Sequence, residues 1–228
     1  MAPKILVVLT NADTNTINGK PTGWYLPEFA HPYEVLSPKA DITVASIKGG
    51  ATPIDPSSIE MFKADPVSTK FLESNKDLWE NTKPLKDFLG RAAEFDAILY
   101  PGGHGPLFDL ATDETSIKLI EEFWAAGKVV SAICHGPVVF SKAKTQDGQP
   151  LVKGRHVTCF TDKEEELVGL TNAVPWLVEK DLRESGAIFE SAPEPWGSKA
   201  VVDGKLVTGQ NPASGQAFGE AVAKALGE

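Results

Sequence analysis

Val129-Val130-Ser131-Ala132-Ile133-Cys134-His135-Gly136-Pro137 is the stretch on which the fold turns. An apolar, β-branched run ends at a nucleophile-type residue, and a helix opens directly after it. Small residues stand two before the cysteine (Ala132) and two after it (Gly136). A sharp strand-to-helix elbow brings those two positions together, and bulky side chains there would collide. Such a turn forces Cys134 into a strained conformation with its side chain exposed. It also sets the sulfur at a helix N-terminus, where the dipole and the free N–H groups favour a thiolate, the reactive form. The plainer alternative is a buried cysteine that merely ends a strand. The small-x-Cys-x-small spacing and the adjoining histidine weigh against it.

Reading outward from this elbow, short apolar runs alternate with helical patterns. Lys4 to Thr10 is nearly all apolar and predicts a parallel strand buried on both faces. A loop is expected from there to Thr22, then a helix to about Leu36 with Pro27 in its first turn and a kink at Pro32. Asp41 to Ile47 and Ala97 to Tyr100 read as strands. Ile117, Ile120 and Phe123-Trp124 are spaced as one face of a helix over Thr115 to Ala126, with Gly127 closing it. After Cys134 a helix is expected over Gly136 to Lys142. Further on come a strand at Val157 to Phe160, a helix from Pro175 to Ser185 and a short strand at Ile188-Phe189. Asp203-Gly204 suits the centre of a type I′ hairpin turn, and a helix from Ser214 or Gly215 to Leu226 ends the pattern. Between about 49 and 96 the alternation breaks, with four prolines and short amphipathic pieces. This segment is too long for a plain loop, so an insertion of short helices over one end of the sheet is expected. The fold class is therefore α/β, one domain over 1–228, with an open, mainly parallel sheet sandwiched by helices and a small helical cap.

Composition narrows the function. The chain has 228 residues, 22 Lys plus Arg against 31 Asp plus Glu, and a net charge of −9. An acidic protein with no basic run is a poor partner for nucleic acid. No apolar run approaches the length of a membrane span. The start, Met1-Ala2-Pro3-Lys4, carries no secretory signal pattern. Two cysteines are not a disulfide framework, so a reducing compartment is expected, the cytoplasm or also the nucleus.

Other residues fall at the same sheet edge. In an open α/β sheet the ligand crevice lies at the carboxyl ends of the strands. Pro101-Gly102-Gly103-His104-Gly105 follows a strand there. The amide of Gly103, with Gly102 as alternate, and that of His135 are candidates for an oxyanion hole; a tight turn needing positive φ would use the same glycines. Glu28, expected half-buried among Trp24, Tyr25, Pro27 and Phe29, is a candidate proton shuttle with a raised pKa. It also fits an ordinary solvated first-turn glutamate. Glu164, Glu165 and Glu166 follow another strand, and one of them is a candidate for orienting His135, though a charge run is usually a solvated face. No Cys/His pair has metal-ligand spacing. Cys159 reads as a core thiol, and His31 and His156 show no partner.

Taken together, these residues resemble the PfpI-type superfamily, which is built like a class I glutamine amidotransferase domain. Within it the chain is most similar to the fungal heat-shock chaperone and glyoxalase III branch. The resemblance spans essentially the whole chain. It rests on Thr22-Gly23 through Glu28 to His31-Pro32, Gly103-His104-Gly105 with Leu107-Phe108-Asp109, and Ala132 to Pro137. Phe160-Thr161-Asp162 with Glu165, Pro195-Trp196 and Leu206 to Ser214 add to it. It implies a flavodoxin-like sandwich, Cys134 as nucleophile, His135 as its neighbour in the pair, and Glu28 as the acid contacting the thiol. Glu165 would be the third member of a triad, with Glu164 as the alternative. Gly102, Gly103 and His104 would line the oxyanion and substrate site. Some relatives bind metal through cap residues. No equivalent His and Glu cluster stands in 49–96, so neither metal nor cofactor is expected.

The activity this resemblance implies is glutathione-independent conversion of methylglyoxal, or glyoxal, to a 2-hydroxy acid, D-lactate in the first case. The protein would act as a homodimer, without nucleic acid or membrane. The competing readings are a holdase chaperone or cysteine oxidation sensor, and a cysteine peptidase or deglycase. A holdase would be favoured by an exposed apolar patch such as Trp79, Leu85 and Phe88.

Overall fold

The computed structural model describes residues 2–12, 17 and 19–228. The parts of the loop expected before Thr22 that fall at 13–16 and 18 lie outside the described residues, as does Met1.

Strand β1 (Lys4–Leu9) runs through the middle of the molecule, and Ile5 to Leu9 are all essentially inaccessible. Its side chains alternate between two cores, as the twofold period of a strand requires. Leu6 and Val8 join a core with Phe123 and Phe140, whereas Ile5, Val7 and Leu9 join another with Phe29 and Phe218. Burial on both faces explains why the sequence reads as an unbroken apolar run.

Around β1 lie β2 (Asp41–Ser46), β3 (Lys83–Pro84), β4 (Ala97–Tyr100), β5 (Val129–Ile133), β8 (Ala200–Asp203) and β9 (Leu206–Gly209) in the order β3-β2-β1-β4-β5-β9-β8. All neighbours are parallel except β8 and β9. β6 (His156–Val157) and β7 (Ile188–Phe189) form a separate parallel pair. Helix α1 (Leu26–Leu36) and the last helix, α8 (Gly215–Leu226), supply apolar residues to one core, and α5 (Glu114–Ala125) to the other. No helix among the described residues is long and apolar enough to cross a membrane.

Residues 49–96 contain α2 (Pro56–Met61), α3 (Pro66–Ser74), α4 (Asp77–Glu80) and short 3₁₀ turns, but also β3, which extends the main sheet. Aspartates cap α2 and α3: Asp55 accepts from the Ser57 amide and Asp65 from that of Ser68. The segment is held to α1 by an aromatic cluster. Phe71 lies 4.9 Å from Phe29 and 5.4 Å from Trp79, ring centre to ring centre. The exposed patch anticipated at Trp79, Leu85 and Phe88 is not formed: Trp79 is buried in this cluster, whereas Leu85 and Phe88 are buried in the opposite core, with Phe95 and the α5 residue Phe123.

Other departures have local causes. The helix expected over Gly136 to Lys142 is a 3₁₀ turn, Gly136–Phe140. The strand expected at 157–160 ends at Val157, since the Thr158 amide donates to the Thr208 side chain instead of a ladder. Helix α7 (Val178–Glu184) starts three residues after Pro175, leaving that proline in the preceding loop. In the β8–β9 hairpin Asp203 pairs with Leu206, so the turn residues are Gly204 and Lys205. Only Gly204 has positive φ (+60°), which fits a type II′ turn rather than I′. Two histidines that showed no partner do have one: His31 lies 2.9 Å from Asp65 and His156 2.7 Å from Glu190.

Candidate active site

At the end of β5 the chain bends so tightly that Cys134 has φ of +62°, a left-handed conformation a side chain rarely adopts. Its amide donates to the Gly209 carbonyl and its carbonyl accepts from the Phe160 amide, which pins both sides of the bend. The elbow demands small neighbours. A Cβ at Gly136 would lie 2.6 Å from the Tyr100 carbonyl oxygen and 3.3 Å from the Ala132 Cβ. A Cβ at Gly102 would lie 2.4 Å from the Ile133 carbonyl oxygen and 2.6 Å from Glu28 Oε2. The loop after β4 thus presses on both the cysteine and the glutamate. It is tied to the start of α1 by the Tyr25 amide donating to the Gly102 carbonyl (3.2 Å) and the Gly105 amide to that of Gly23 (3.1 Å).

This packing brings Glu28 to the sulfur. The glutamate is fully buried rather than half-buried, and neither carboxyl oxygen completes a hydrogen bond. Burial pushes its pKa up to about 8, against the weaker pull of the Cys134 thiol and the Gly102 and Gly103 amides that face it. Burial, and then Glu28, push the Cys134 thiol up as well; the Gly103 amide opposes them. The helix start that was expected to favour a thiolate is only a short 3₁₀ turn, and Cys134, expected to present an exposed side chain, is buried at 3% exposure. A standing anion is therefore not favoured. Such a dry pair supports one negative charge at most, so a proton kept on Glu28 is what permits the sulfur to lose its own.

On the other side of the sulfur is an imidazole chain. His135 Nδ1 lies 3.2 Å from Cys134 Sγ. Its Nε2 donates to Glu165 Oε2 at 2.6 Å, and His104 Nε2 donates to Glu165 Oε1 at 2.8 Å. An ionised carboxylate only accepts, so both imidazoles carry their protons on Nε2 and His135 Nδ1 is left as an acceptor facing the thiol. Burial, and then His104, hold the His135 pKa down to about 4 despite Glu165. Burial works against the Glu165 anion, but the two histidines overcome it and hold this carboxyl well below the usual range.

Of the three consecutive glutamates, each does something different. Glu165 meets His135. Glu166 is exposed and pairs with Lys163. Glu164 is fully buried and accepts from the Thr161 amide and hydroxyl, the Trp196 amide, Gln210 and Asn211. His104, His135 and Glu165 also bring three donor atoms within 4.8 Å of one another, a set that could hold a metal ion. It lies outside the cap segment 49–96, where the sequence shows no His and Glu cluster. The same atoms already satisfy one another by hydrogen bonds, so an ion would have to displace both.

All the anticipated residues, Glu28, Gly102, Gly103, His104, Cys134, His135 and Glu165, converge on one edge of the sheet. Gly103 takes φ of +86°. A pocket of about 470 Å³ opens over Cys134, Glu28 and His135. Two of its residues were not singled out as functional. Tyr25, read only as an apolar neighbour, places its hydroxyl on Met61 Sδ at 3.3 Å; burial and then Glu28 keep that phenol protonated by pushing its pKa up. Trp196, which follows Pro195, stands at φ of +65° on the rim.

Comparison with known proteins identifies the family. Residues 23–225 match the DJ-1/PfpI family. The glutathione-independent glyoxalase hsp3102 of Schizosaccharomyces pombe is 33% identical over 221 residues, covering 92% of this chain and 91% of that protein. The crystal structure of glyoxalase III from Candida albicans superposes with a TM-score of 0.88 at 30% identity, covering 98% of this chain and 97% of that one. The 24 kDa rapid encystment protein of Francisella tularensis superposes with a TM-score of 0.91 at 35% identity, covering 98% and 99%. The chain belongs to the DJ-1/PfpI family.

Proposed function

We propose that this protein is a glutathione-independent glyoxalase, a cysteine-dependent lyase that turns methylglyoxal into D-lactate, and glyoxal into the corresponding hydroxy acid, without a cofactor. The observation that carries this reading is the unpaired, fully buried Glu28 carboxyl beside the Cys134 thiol, with His135 Nδ1 on the sulfur's other side. The names of similar proteins, glutathione-independent glyoxalases and glyoxalase III, support the same substrate class.

The chemistry follows from these groups. His135 Nδ1 takes the thiol proton as sulfur adds to the aldehyde carbon, giving a hemithioacetal. The Gly103 and His135 amides meet the developing oxyanion. His135 returns its proton to that oxygen, and Glu28 gives its own to the neighbouring carbonyl oxygen. The carboxylate so formed takes the hydrogen of the former aldehyde carbon to give an enediol, then delivers it to the neighbouring carbon and recovers a proton from the first hydroxyl. That step needs a group which both accepts and gives a proton near neutrality. Glu28 has such a pKa, at about 8. The product of the shift is a thioester of the 2-hydroxy acid. Water attacks it, the C–S bond breaks, and the acid leaves with the thiol restored. Carbon oxidation at one centre balances reduction at the other, so no external electron carrier enters.

The test is the purified protein with methylglyoxal in the absence of glutathione. D-Lactate should accumulate, and Cys134→Ala should abolish it. Failure of lactate to form, or equal turnover by the variant, removes the proposal.

A further inference from the structure

The pocket is larger and more apolar at its mouth than a three-carbon dicarbonyl needs. Its volume is about 470 Å³, the size of a site for a much larger ligand. The reacting groups occupy the floor. Above them the wall is formed by Met61, Phe62, Phe160, Val168, Leu170 and Trp196. Met61, Val168 and Trp196 are also among the few large apolar side chains exposed to solvent, at 72%, 42% and 45%. Exposed apolar groups scattered singly are ordinary; several on the lip of one pocket are not.

Trp196 is moreover held there at a cost. Its backbone sits at φ of +65°, a left-handed conformation that a bulky side chain rarely adopts. The strain is sustained by the bond from its amide to Glu164 (2.8 Å), a fully buried carboxylate also fixed by Asn211 and Gln210. Its indole stands 5.6 Å from Phe160, whose ring stands 4.4 Å from His135. An aromatic surface therefore leads from the reacting centre to the mouth. Among the described residues, the exposed charged side chain on the lining is Lys20, and Asp55 lies buried there.

We infer that the preferred substrates are 2-oxoaldehydes bearing an apolar or aromatic tail, with the dicarbonyl at Cys134 and the tail against Phe160 and Trp196. This rests on the function proposed above and adds its specificity. The bonds made and broken are unchanged: sulfur adds to the aldehyde carbon, its hydrogen ends on the neighbouring carbon, and water releases a 2-hydroxy acid carrying the tail.

Phenylglyoxal and 2-oxohexanal, compared with methylglyoxal without glutathione, test the inference, with the hydroxy acids quantified by chromatography. Packing a tail against an apolar wall should raise kcat/KM about tenfold or more, chiefly through KM. Trp196→Ser should lose most of that preference, whereas Trp196→Phe should keep much of it. If methylglyoxal is turned over but the longer substrates are no better, or if Trp196→Ser leaves the ratio unchanged, the inference is overturned and the proposed function stands. If none is turned over, both fall.

Discussion

His104 and His135 share one carboxylate. Their Nε2 atoms lie 2.8 Å and 2.6 Å from the two oxygens of Glu165, and their ring centres are 4.0 Å apart. The carboxylate therefore fixes the tautomer of His135 from one side and is itself fixed from the other. Replacing Glu165 by Gln offers an amide N–H to one imidazole and reverses the donor pattern. Glu165→Gln should lower kcat for methylglyoxal by about 10²–10⁴, with a smaller loss for His104→Gln, which leaves the His135 contact in place. Steady-state kinetics on folded variants would measure both; an unchanged kcat in Glu165→Gln would exclude the imidazole relay.

The pH profile should be set by the two groups flanking the sulfur. The reacting form needs neutral His135 and protonated Glu28. His135 is held to about 4 and Glu28 raised to about 8. A plot of kcat/KM against pH should therefore be flat between those limits, falling below the first and above the second. A midpoint near the ordinary histidine value instead would mean that His135 is not the acid-side group.

Glu28 also makes stability depend on pH. Its folded pKa of about 8 lies above the ordinary value of 4.5, so between those values the folded state holds a proton that the unfolded state releases. The stabilisation is fully present below the lower value and is lost as pH rises through the upper one. Glu28→Gln abolishes activity by the proposed mechanism, yet should raise Tm relative to the parent at pH 9 and lose that advantage at pH 4. Thermal melts across this range would read it; a constant Tm difference would place the charge penalty elsewhere.

The elbow predicts its own intolerance. Gly136→Ala sets a Cβ 2.6 Å from the Tyr100 carbonyl oxygen, a rigid backbone atom. The variant should lose roughly 1–3 kcal/mol, or about 2–4 °C in Tm per kcal/mol in a chain of this size. Turnover should fall too, because the displaced segment begins at His135. Calorimetry and the methylglyoxal assay together check this.

What could be read from the chain was what local chemistry specifies. The alternation of buried strands was legible because burial on both faces leaves no polar position in β1 after Lys4. The elbow was legible because Ala132 and Gly136 must be small for the same reason that Cys134 is strained. The roles of Glu164, Glu165 and Glu166 were not. Consecutive helical residues point about a third of a turn apart, and which direction faces His135 depends on how the helix Asp162–Leu167 docks. The state of the thiol was misjudged for a related reason. A helix dipole can be inferred from sequence, but the dryness that outweighs it arises from Gly102 and Glu28, distant in the chain. The left-handed Trp196 left no local signal, since nothing in Pro195-Trp196-Gly197 forecasts a buried carboxylate beneath it.

That carboxylate, Glu164, supports the final prediction. It accepts five hydrogen bonds: two from Thr161, closing the capping box of the helix 162–167, and one each from Trp196, Gln210 and Asn211. Paired donors on every side are what make a fully buried carboxylate tolerable. Glu164→Ala leaves those donors unsatisfied and should cost about 3 kcal/mol or more. Glu164→Gln keeps the shape but gives up the charge; its oxygen can go on accepting from Trp196, Gln210 and Asn211 while the new NH2 faces Thr161, so it should cost less and leave the Trp196 amide held. In Glu164→Ala the bond to the Trp196 amide is gone, the left-handed backbone there loses its anchor, and the indole should leave the rim. The expected readouts are a shift in tryptophan emission toward the solvent-exposed value and a reduced preference for tailed 2-oxoaldehydes. The Cys134–His135–Glu165 geometry, held by separate bonds, should still turn over methylglyoxal at a rate limited mainly by how much protein remains folded. Loss of methylglyoxal turnover in fully folded Glu164→Ala would show instead that the reacting groups depend on this hub.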